Sequence, residues 1–169
     1  MYRSKYSNFW RRFFAIIIDG FVFLPLQWID DYILSGVFSS GGIFVWGVAS
    51  SILGISYYVI MHTRYGQTIG KMVTKVKVVD VSESRNLTMK QSCMRDIVPI
   101  IMIPFTIYAY AQIAFYGHTW DSLEQGVLFT IVGFAMIGWV ALESVSMLFN
   151  EKRRAVHDYI ASSVVIRQT

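Results

Sequence analysis

The sequence predicts an all-α transmembrane protein: a four-helix membrane bundle with a short cytoplasmic β-hairpin or strand element between helices 2 and 3 and in the C-terminal tail. Hydrophobic residues make up 54 % of the 169 residues and charged residues only 15 %, a composition typical of membrane proteins. Four apolar segments each have the length of about 20 residues that a helix needs to cross a bilayer. We interpret residues 1–169 as one membrane domain, because the chain has the length of a single domain.

The predicted spans are residues 9–29, 43–62, 97–116 and 126–149. The first span follows a basic N-terminus, as the apolar part of a signal peptide would. Asp19 interrupts it, however, and no small-residue cleavage site follows, so we interpret it as a retained helix. The remaining segments 1–8, 63–96 and 150–169 are predicted to lie together on one side of the membrane.

The lysines and arginines predict the orientation of the bundle. All fifteen lie before or at the start of the first span, between the second and third spans, or after the fourth span. The other two loops carry acidic residues instead, such as Asp30 and Asp121. The positive-inside rule therefore predicts cytoplasmic N- and C-termini. We expect the basic side to contact anionic lipid headgroups. We exclude nucleic acid as a partner, because the cations flank apolar segments rather than form one soluble basic face.

The segment between the second and third spans is too long to be a simple turn. Residues 72–81 are rich in valine and alternate in part with Lys75 and Lys77, which favours a strand. The tail residues 162–167 are also β-prone, and we predict that the two stretches pair in a small sheet. Thr88 followed by Gln91 has the spacing of a capping box, which predicts a helix leading into the third span.

The stretch Gly66-Gln-Thr-Ile-Gly70-Lys71 is similar to a phosphate-binding loop but lacks its spacing. A Walker loop has four residues between its glycines and a serine or threonine after the lysine. Here three residues intervene and Met72 follows. We therefore predict a tight turn at the membrane surface that is shaped by Gly66 and Gly70, with Lys71 at the headgroups.

Asp19 is the most costly residue in the predicted spans. An ionised side chain at the centre of a spanning helix costs roughly 2.5–3.5 kcal/mol on the insertion scale. Arg12 precedes Asp19 by two helical turns, so the two share a face with Ala15 between them. We predict that this face points into the bundle. Two interpretations stay open: an ion or proton pathway that uses Asp19, with Arg12 as its counter-charge, or an Arg–Asp clamp that locks span 1 to the tail and fixes the bundle.

A second set of polar residues is predicted near the cytoplasmic surface. It consists of Arg95, Asp96, Glu143, His157 and Asp158. Asp96 and Asp158 are each expected to accept a hydrogen bond from Arg12, Arg95 or a backbone N–H. The set is either the cytoplasmic part of an ion pathway or a structural cluster of hydrogen-bonded charges.

The sequence contains no arrangement typical of an enzyme or a metal site. Its one cysteine, Cys93, excludes an intrachain disulfide and a thiolate metal cluster. His62 and His118 lie at predicted span ends without metal-ligand spacing, and we interpret them as interfacial polar residues. There is no nucleophile elbow, paired acidic motif or cofactor fingerprint. We therefore predict no catalytic activity, no cofactor and no metal.

Several stretches of this chain resemble the RDD family of small bacterial integral membrane proteins, named for an arginine and two aspartates. In chain order they are Arg12-Phe-Phe-Ala-Ile-Ile-Ile-Asp19, Gly66-Gln-Thr-Ile-Gly-Lys-Met72 with Lys75-Val-Lys-Val-Val-Asp80 after it, Arg95 with Pro99, and Arg153-Arg-Ala-Val-His-Asp-Tyr-Ile-Ala-Ser-Ser-Val-Val165. The resemblance implies that Arg12, Asp19 and Asp158 are the eponymous residues. Ser162 stands where family members carry glycine, and this loosens the turn expected in the tail.

The resemblance implies transport of an unidentified ligand, with sodium–proton exchange suggested for some family members. We hypothesise a bacterial inner-membrane protein that moves a small ion or solute through a site using Asp19 and Arg12. Four helices are few for a closed pathway, so this hypothesis predicts a homo-oligomer. The alternative is a non-transporting accessory or assembly subunit that docks on a larger membrane protein complex. A third hypothesis is lipid recognition by the basic face.

Overall fold

The computed structural model describes residues 5–6 and 8–168. In this part of the chain four helices are long and apolar enough to cross a membrane. In chain order the elements are α1 (Phe9–Tyr32), α2 (Ser40–Arg64), α3 (Ile69–Val73), β1 (Val76–Asp80), α4 (Met89–Arg95), α5 (Ile97–Tyr116), α6 (Trp120–Glu124), α7 (Val127–Ser146), α8 (Val156–Ile160) and β2 (Ser163–Arg167). The predicted fold class is confirmed. Residues 1–4, 7 and 169 of the predicted cytoplasmic segments lie outside the described part.

The helix ends differ from the predicted spans by a few residues. Helix α1 continues past residue 29 into a π-helical segment, Ile33–Val37, in which Gly36 has a φ of +89°. Helix α2 begins before residue 43, because the Ser39 hydroxyl accepts a hydrogen bond from the Gly42 N–H at 3.3 Å. Helix α7 ends at Ser146, before the predicted residue 149. Hydropathy locates apolar segments, whereas caps and turns fix the residue at which each helix ends.

The predicted pairing of the two β-prone stretches is confirmed. Strands β1 and β2 form a two-stranded antiparallel sheet in which Val76 lies opposite Arg167 and Asp80 lies opposite Ser163. The predicted capping box is also present at the start of α4, where the Thr88 and Gln91 side chains bond each other's backbone N–H groups. Isolated two-stranded sheets are marginal in water, so this sheet depends on what covers it.

Both faces of the sheet are covered by apolar side chains. Val78 and Val165 pack with Leu87 in one cluster, and Val79 and Val164 form part of another. The amide of Asn8, just before α1, donates to the Val165 carbonyl at 2.6 Å. The sheet is therefore attached to the start of α1, and we call this end of the bundle the sheet end. The opposite end, where α1 finishes, is called the far end.

The long helices pack through small residues. Helices α2 and α5 approach most closely at Gly47, where an added Cβ would lie 2.1 Å from the ring of Tyr110. Small residues allow such close approach between helices in lipid. Helix α7 packs less closely, and the Phe105 and Phe129 rings meet at 4.6 Å between centroids. The incomplete packing leaves cavities between the helices.

Candidate functional site

A fully buried carboxylate joins three helices at the sheet end. Asp158, on α8, accepts a hydrogen bond from Arg12 Nη2 on α1 at 2.5 Å and another from Arg95 Nη1 on α4. The Ala155 N–H donates to it at 3.0 Å. Burial raises the pKa of Asp158, but the two guanidinium groups outweigh burial and hold this pKa well below its usual range. The carboxylate is therefore ionised, and it clamps α1 and α4 to α8.

His157 and Glu143 extend this cluster towards α7. His157 Nε2 lies 2.7 Å from Arg95 Nη2, which can only donate. Nε2 is therefore the accepting nitrogen, and the proton lies on Nδ1, which is 2.6 Å from Glu143 Oε2. The backbone N–H of His157 donates to Glu143 Oε1 at 3.0 Å. Burial and the charge of Arg95 lower the pKa of His157, which favours the neutral imidazole.

Asp19 lies in a separate socket of neutral donors. Its carboxylate accepts hydrogen bonds from Thr68 Oγ1 at 2.6 Å, from the Gly70 N–H at 2.8 Å and from the Tyr57 hydroxyl at 3.1 Å. Asp19 is 3 % exposed. Thr68 also caps α3, so the segment after α2 turns back and docks on α1. The cost of burying this acid is offset by three hydrogen bonds.

The chain segment after α2 passes very close to α1. A Cβ added at Gly70 would lie 2.1 Å from the Ala15 carbonyl oxygen. Only glycine brings the α3 backbone near enough for its N–H to reach Asp19. Ala15 itself is fully buried at this contact.

Lys71, His62 and Asp96 form a row of titratable groups beside the socket. Lys71 Nζ lies 2.6 Å from His62 Nε2, and His62 Nδ1 lies 3.4 Å from Asp96 Oδ2. Burial, and next the charge of Arg95, lower the pKa of Lys71 to about 7. Burial raises the pKa of Asp96, but the hydrogen bond with His62 and the nearby cations outweigh burial, and this pKa is lowered. The row is thus an amine, an imidazole and an ionised carboxylate in contact.

This row borders a cavity of about 290 Å³, which we call the sheet-end cavity. Apolar side chains, including Trp139, Val140 and Pro99, form much of its wall. Its charged and imidazole-bearing lining residues are Arg12, His62, Lys71, Arg95, Asp96, Glu143 and His157. Asp19 and Asp158 lie behind this lining.

Two further cavities follow along the bundle. The middle cavity, of about 330 Å³, shares Tyr58, Asp96 and Pro99 with the sheet-end cavity. The far cavity, of about 270 Å³, is lined by Asp30 and Tyr110. The residues common to the middle and far cavities are Phe23, Ser50, Ser51 and Thr106. The three cavities therefore adjoin one another from one end of the bundle to the other.

The structure brings most of the predicted site residues together but pairs them differently. The Arg12–Ala15–Asp19 face is buried as predicted. Arg12 bonds Asp158, which is the arrangement of a clamp between span 1 and the tail, whereas Asp19 bonds neutral donors rather than Arg12. Asp158 accepts from both arginines and a backbone N–H, whereas Asp96 contacts His62.

The predicted surface turn also needs correction. Gly66 does form a turn, with a φ of +70°, but Gly66 and Gly70 are buried and Lys71 points to His62. Docking of the segment on α1 directs the lysine to His62 and to the wall of the sheet-end cavity. The sequence also gave no role to Thr68, although its position three residues before Lys71 is that of an N-cap. His62, interpreted as interfacial, is 1 % exposed.

The arrangement of an arginine and two buried aspartates agrees with a comparison to known families. A family model described as the RDD family matches residues 6–162. This chain belongs to the RDD family. It is also 24 % identical over 172 residues to the uncharacterized membrane protein YteJ of Bacillus subtilis (strain 168), covering 96 % of this chain and 82 % of that protein. A search of solved structures gives no significant match.

In this RDD protein the three residues that the resemblance assigned fall into two places. Arg12 and Asp158 meet in the clamp, and Asp19 lies in the socket. Both places hold the helices in register at the sheet end, around the sheet-end cavity. The protein is thus a membrane protein of the RDD family, and the cavities between its apolar helices have largely apolar walls with a few charged and polar side chains.

Ser162, which replaces the glycine expected in the RDD tail, has a φ of 50°. A left-handed backbone costs a non-glycine residue roughly 1–2 kcal/mol, and glycine at this position removes that strain. Part of the gain in stability is lost, because glycine has a larger conformational entropy in the unfolded chain. We expect Ser162→Gly to raise the free energy of unfolding by about 0.5–1 kcal/mol. Chemical denaturation of the purified protein measures this change. Ser162→Ala keeps the strained backbone, so an equal gain in that control contradicts the explanation.

Proposed function

We propose that this RDD protein exchanges protons for a small cation through the cavities of its bundle. The observation that carries the proposal is the row of Lys71, His62 and Asp96 on the wall of the sheet-end cavity. When Lys71 releases its proton, Asp96 is left beside a neutral amine and an imidazole. A cation that enters the cavity can then take the place of the lost positive charge.

The positive charges of the nearby arginines are partly neutralised, so they repel a cation in the cavity less than free arginines would. Arg12 and Arg95 both bond Asp158, so their charge is shared with a carboxylate that stays ionised. Lys71 is left as the positive group of the cavity wall whose charge changes near neutral pH. Proton release and cation entry are coupled because both concern the charge beside Asp96.

In this proposal Asp19 and Arg12 act differently from the sequence-based hypothesis. Asp19 lies in its socket and holds Thr68 and Gly70, and this places Lys71 on the cavity wall. Arg12 holds the tail through Asp158. We therefore propose that Asp19 positions the titrating amine and that Lys71 carries the proton.

The distribution of lysine and arginine supports an orientation with the sheet end in the cytoplasm of a bacterial inner membrane. Anionic lipid headgroups are then the expected partners of the exposed cations at that end. With four candidate spans in the part of the chain that the structure describes, we also expect a homo-oligomer if the protein transports. Cysteine labelling at each end of the bundle in intact cells tests the orientation.

Replacement of Lys71 by methionine tests the proposal. Methionine is unbranched and only one atom shorter than lysine but cannot bind a proton, so we expect sodium-driven proton flux to fall at least about tenfold. The residual flux should no longer change with pH around pH 7. Purified protein in liposomes with a trapped pH dye and an imposed sodium gradient gives both readouts.

Lys90→Met is the matched control. Lys90 is an exposed lysine of α4 at the same end of the bundle, so its removal changes the net charge equally without touching the cavity. Flux should be unchanged in this variant. Normal flux in Lys71→Met, or no flux in the unmodified protein, contradicts the proposal.

A second candidate function is that of an accessory or assembly subunit. Helix α7 favours it, because Glu143 is the only buried residue of this helix within the described chain. Exposed side chains such as Phe134 and Ile137 suit contact with another membrane protein as well as with lipid. Gentle extraction that yields a stable complex with another membrane protein, together with absence of flux, supports this function over transport.

A further inference from the structure

Asp30, at the far end of α1, is held in place by two aromatic side chains. The Trp46 indole N–H donates to Asp30 Oδ1 at 2.9 Å, and the Tyr110 hydroxyl donates to the same oxygen. Among the described residues no hydrogen bond reaches Oδ2. The sequence assigned Asp30 to a solvated loop, but the structure places it in the last turn of α1, where its side chain has a fixed position. Its neighbour Asp31 is exposed.

The fixed carboxylate borders the far cavity of about 270 Å³. Among the described residues that line this cavity, Asp30 alone carries a charge. The other polar lining comes from an amide, a phenol and three hydroxyls. A single negative charge in a largely apolar cavity attracts a cation.

The hydroxyls of this cavity have already committed their hydrogens. Ser51 donates to the Gly47 carbonyl at 2.6 Å and Thr106 donates to the Met102 carbonyl at 3.1 Å. Ser50 donates to the Gly47 carbonyl at 3.2 Å and is also within hydrogen-bond reach of the Tyr110 hydroxyl. A hydroxyl has one hydrogen and two lone pairs. Once its hydrogen is used within its own helix, it can offer only lone pairs to a bound species. The three hydroxyls are therefore suited to a cation and unsuited to an anion.

We propose that Asp30, with the hydroxyl oxygens of Ser50, Ser51 and Thr106, forms a binding site for a small monovalent cation at the far end of the bundle. One carboxylate with neutral oxygens suits a single positive charge, whereas divalent cations favour sites with more carboxylates. The same three hydroxyls also line the middle cavity, which reaches Asp96. The site deepens the proposed exchange, on which its role rests, because it lies at the far end of the same row of cavities.

An equilibrium measurement with sodium as the probe tests the site. The full-length protein in detergent is heated at increasing NaCl concentrations, with choline chloride added to keep ionic strength constant. A ligand that binds the folded state raises Tm in a saturable way. We expect this rise in the unmodified protein, and Asp30→Asn should shift its half-saturation to sodium concentrations about tenfold higher or more.

Asp30→Asn should fold, because the asparagine oxygen can still accept from Trp46 and Tyr110. Asp31→Asn is the matched control, since it removes the same charge from the adjacent exposed position. The control should keep the sodium response of the unmodified protein. An equal loss of the response in both variants indicates a general surface effect and overturns the site.

Two threonines, one inside and one outside the far cavity, give a second comparison of sodium responses. Thr106→Val removes a proposed ligand with almost no change of shape, and we expect it to weaken the sodium response severalfold. Thr130 on α7 donates to the Gly126 carbonyl in the same manner, at 3.1 Å, but lies outside the far cavity. Thr130→Val should respond like the unmodified protein.

The outcomes separate this site from the proposed exchange. A saturable sodium response that Asp30→Asn weakens, in a protein without flux, supports the site and removes the exchange function. Flux together with a sodium response that Asp30→Asn leaves unchanged overturns the site alone. A protein whose Tm does not respond to sodium also overturns the site.

Discussion

Asp158→Ala is expected to lower the free energy of unfolding by about 3–5 kcal/mol, because it leaves buried cations without their counter-charge. Asp158 is fully buried and accepts from both Arg12 and Arg95. Its removal also leaves the Ala155 N–H without its acceptor. Unfolding of the detergent-solubilised protein by a stronger denaturing detergent, followed by circular dichroism, measures the loss.

The control for this prediction is Asp121→Ala. Asp121 is an exposed acid of the short helix α6 at the other end of the bundle, so its removal should change stability by less than about 0.5 kcal/mol. Adding Arg95→Met to Asp158→Ala should recover part of the lost stability, because one of the uncompensated charges is then absent. Near-normal stability of Asp158→Ala alone contradicts the clamp.

Gly70→Ala is expected to have the second largest effect. The added Cβ would lie 2.1 Å from the Ala15 carbonyl oxygen and 3.0 Å from Asp19 Cγ, so α3 has to move away from α1. Forced overpacking of this kind costs about 1–3 kcal/mol. The shift also lengthens the hydrogen bond from the Gly70 N–H to Asp19 and displaces Lys71. We therefore expect a loss of stability together with at least about a tenfold loss of proton flux.

Gly20→Ala serves as the control for this substitution. Gly20 follows Asp19 in α1, and a Cβ added there meets nothing within 4 Å. Alanine also favours the helix over glycine by about 1 kcal/mol, so stability should be unchanged or slightly higher. Normal flux in Gly70→Ala shows that the close docking of α3 on α1 is not needed for the activity.

The two predictions concern different attachments of the same helix. The clamp ties the start of α1 to the tail through Asp158, and the socket ties the next turns of α1 to the segment after α2 through Asp19. Together they fix the wall of the sheet-end cavity. A residue with a structural role, such as Asp19, can in this way determine the position of a titrating side chain such as Lys71.

The amino-acid sequence determined the class of fold and much of its local structure. Runs of apolar residues are sufficient to predict the spans, because crossing a bilayer demands length and hydrophobicity and little else. The pairing of the valine-rich stretch with the tail, and the capping box at Thr88, followed from local patterns of side chains. The two-turn spacing of Arg12 and Asp19 also predicted correctly that both point into the bundle.

Only the tertiary structure decided which charges meet. Arg12 bonds an aspartate 146 positions later, and nothing in the spacing of the sequence distinguishes that partner from Asp19 on the same helix face. Lys71 follows a predicted span closely in the sequence, which led to its assignment to the lipid headgroups. Docking of α3 on α1 instead brings it to His62. Side chains of one helix share a face by geometry alone, whereas partners from distant segments depend on how the whole chain packs.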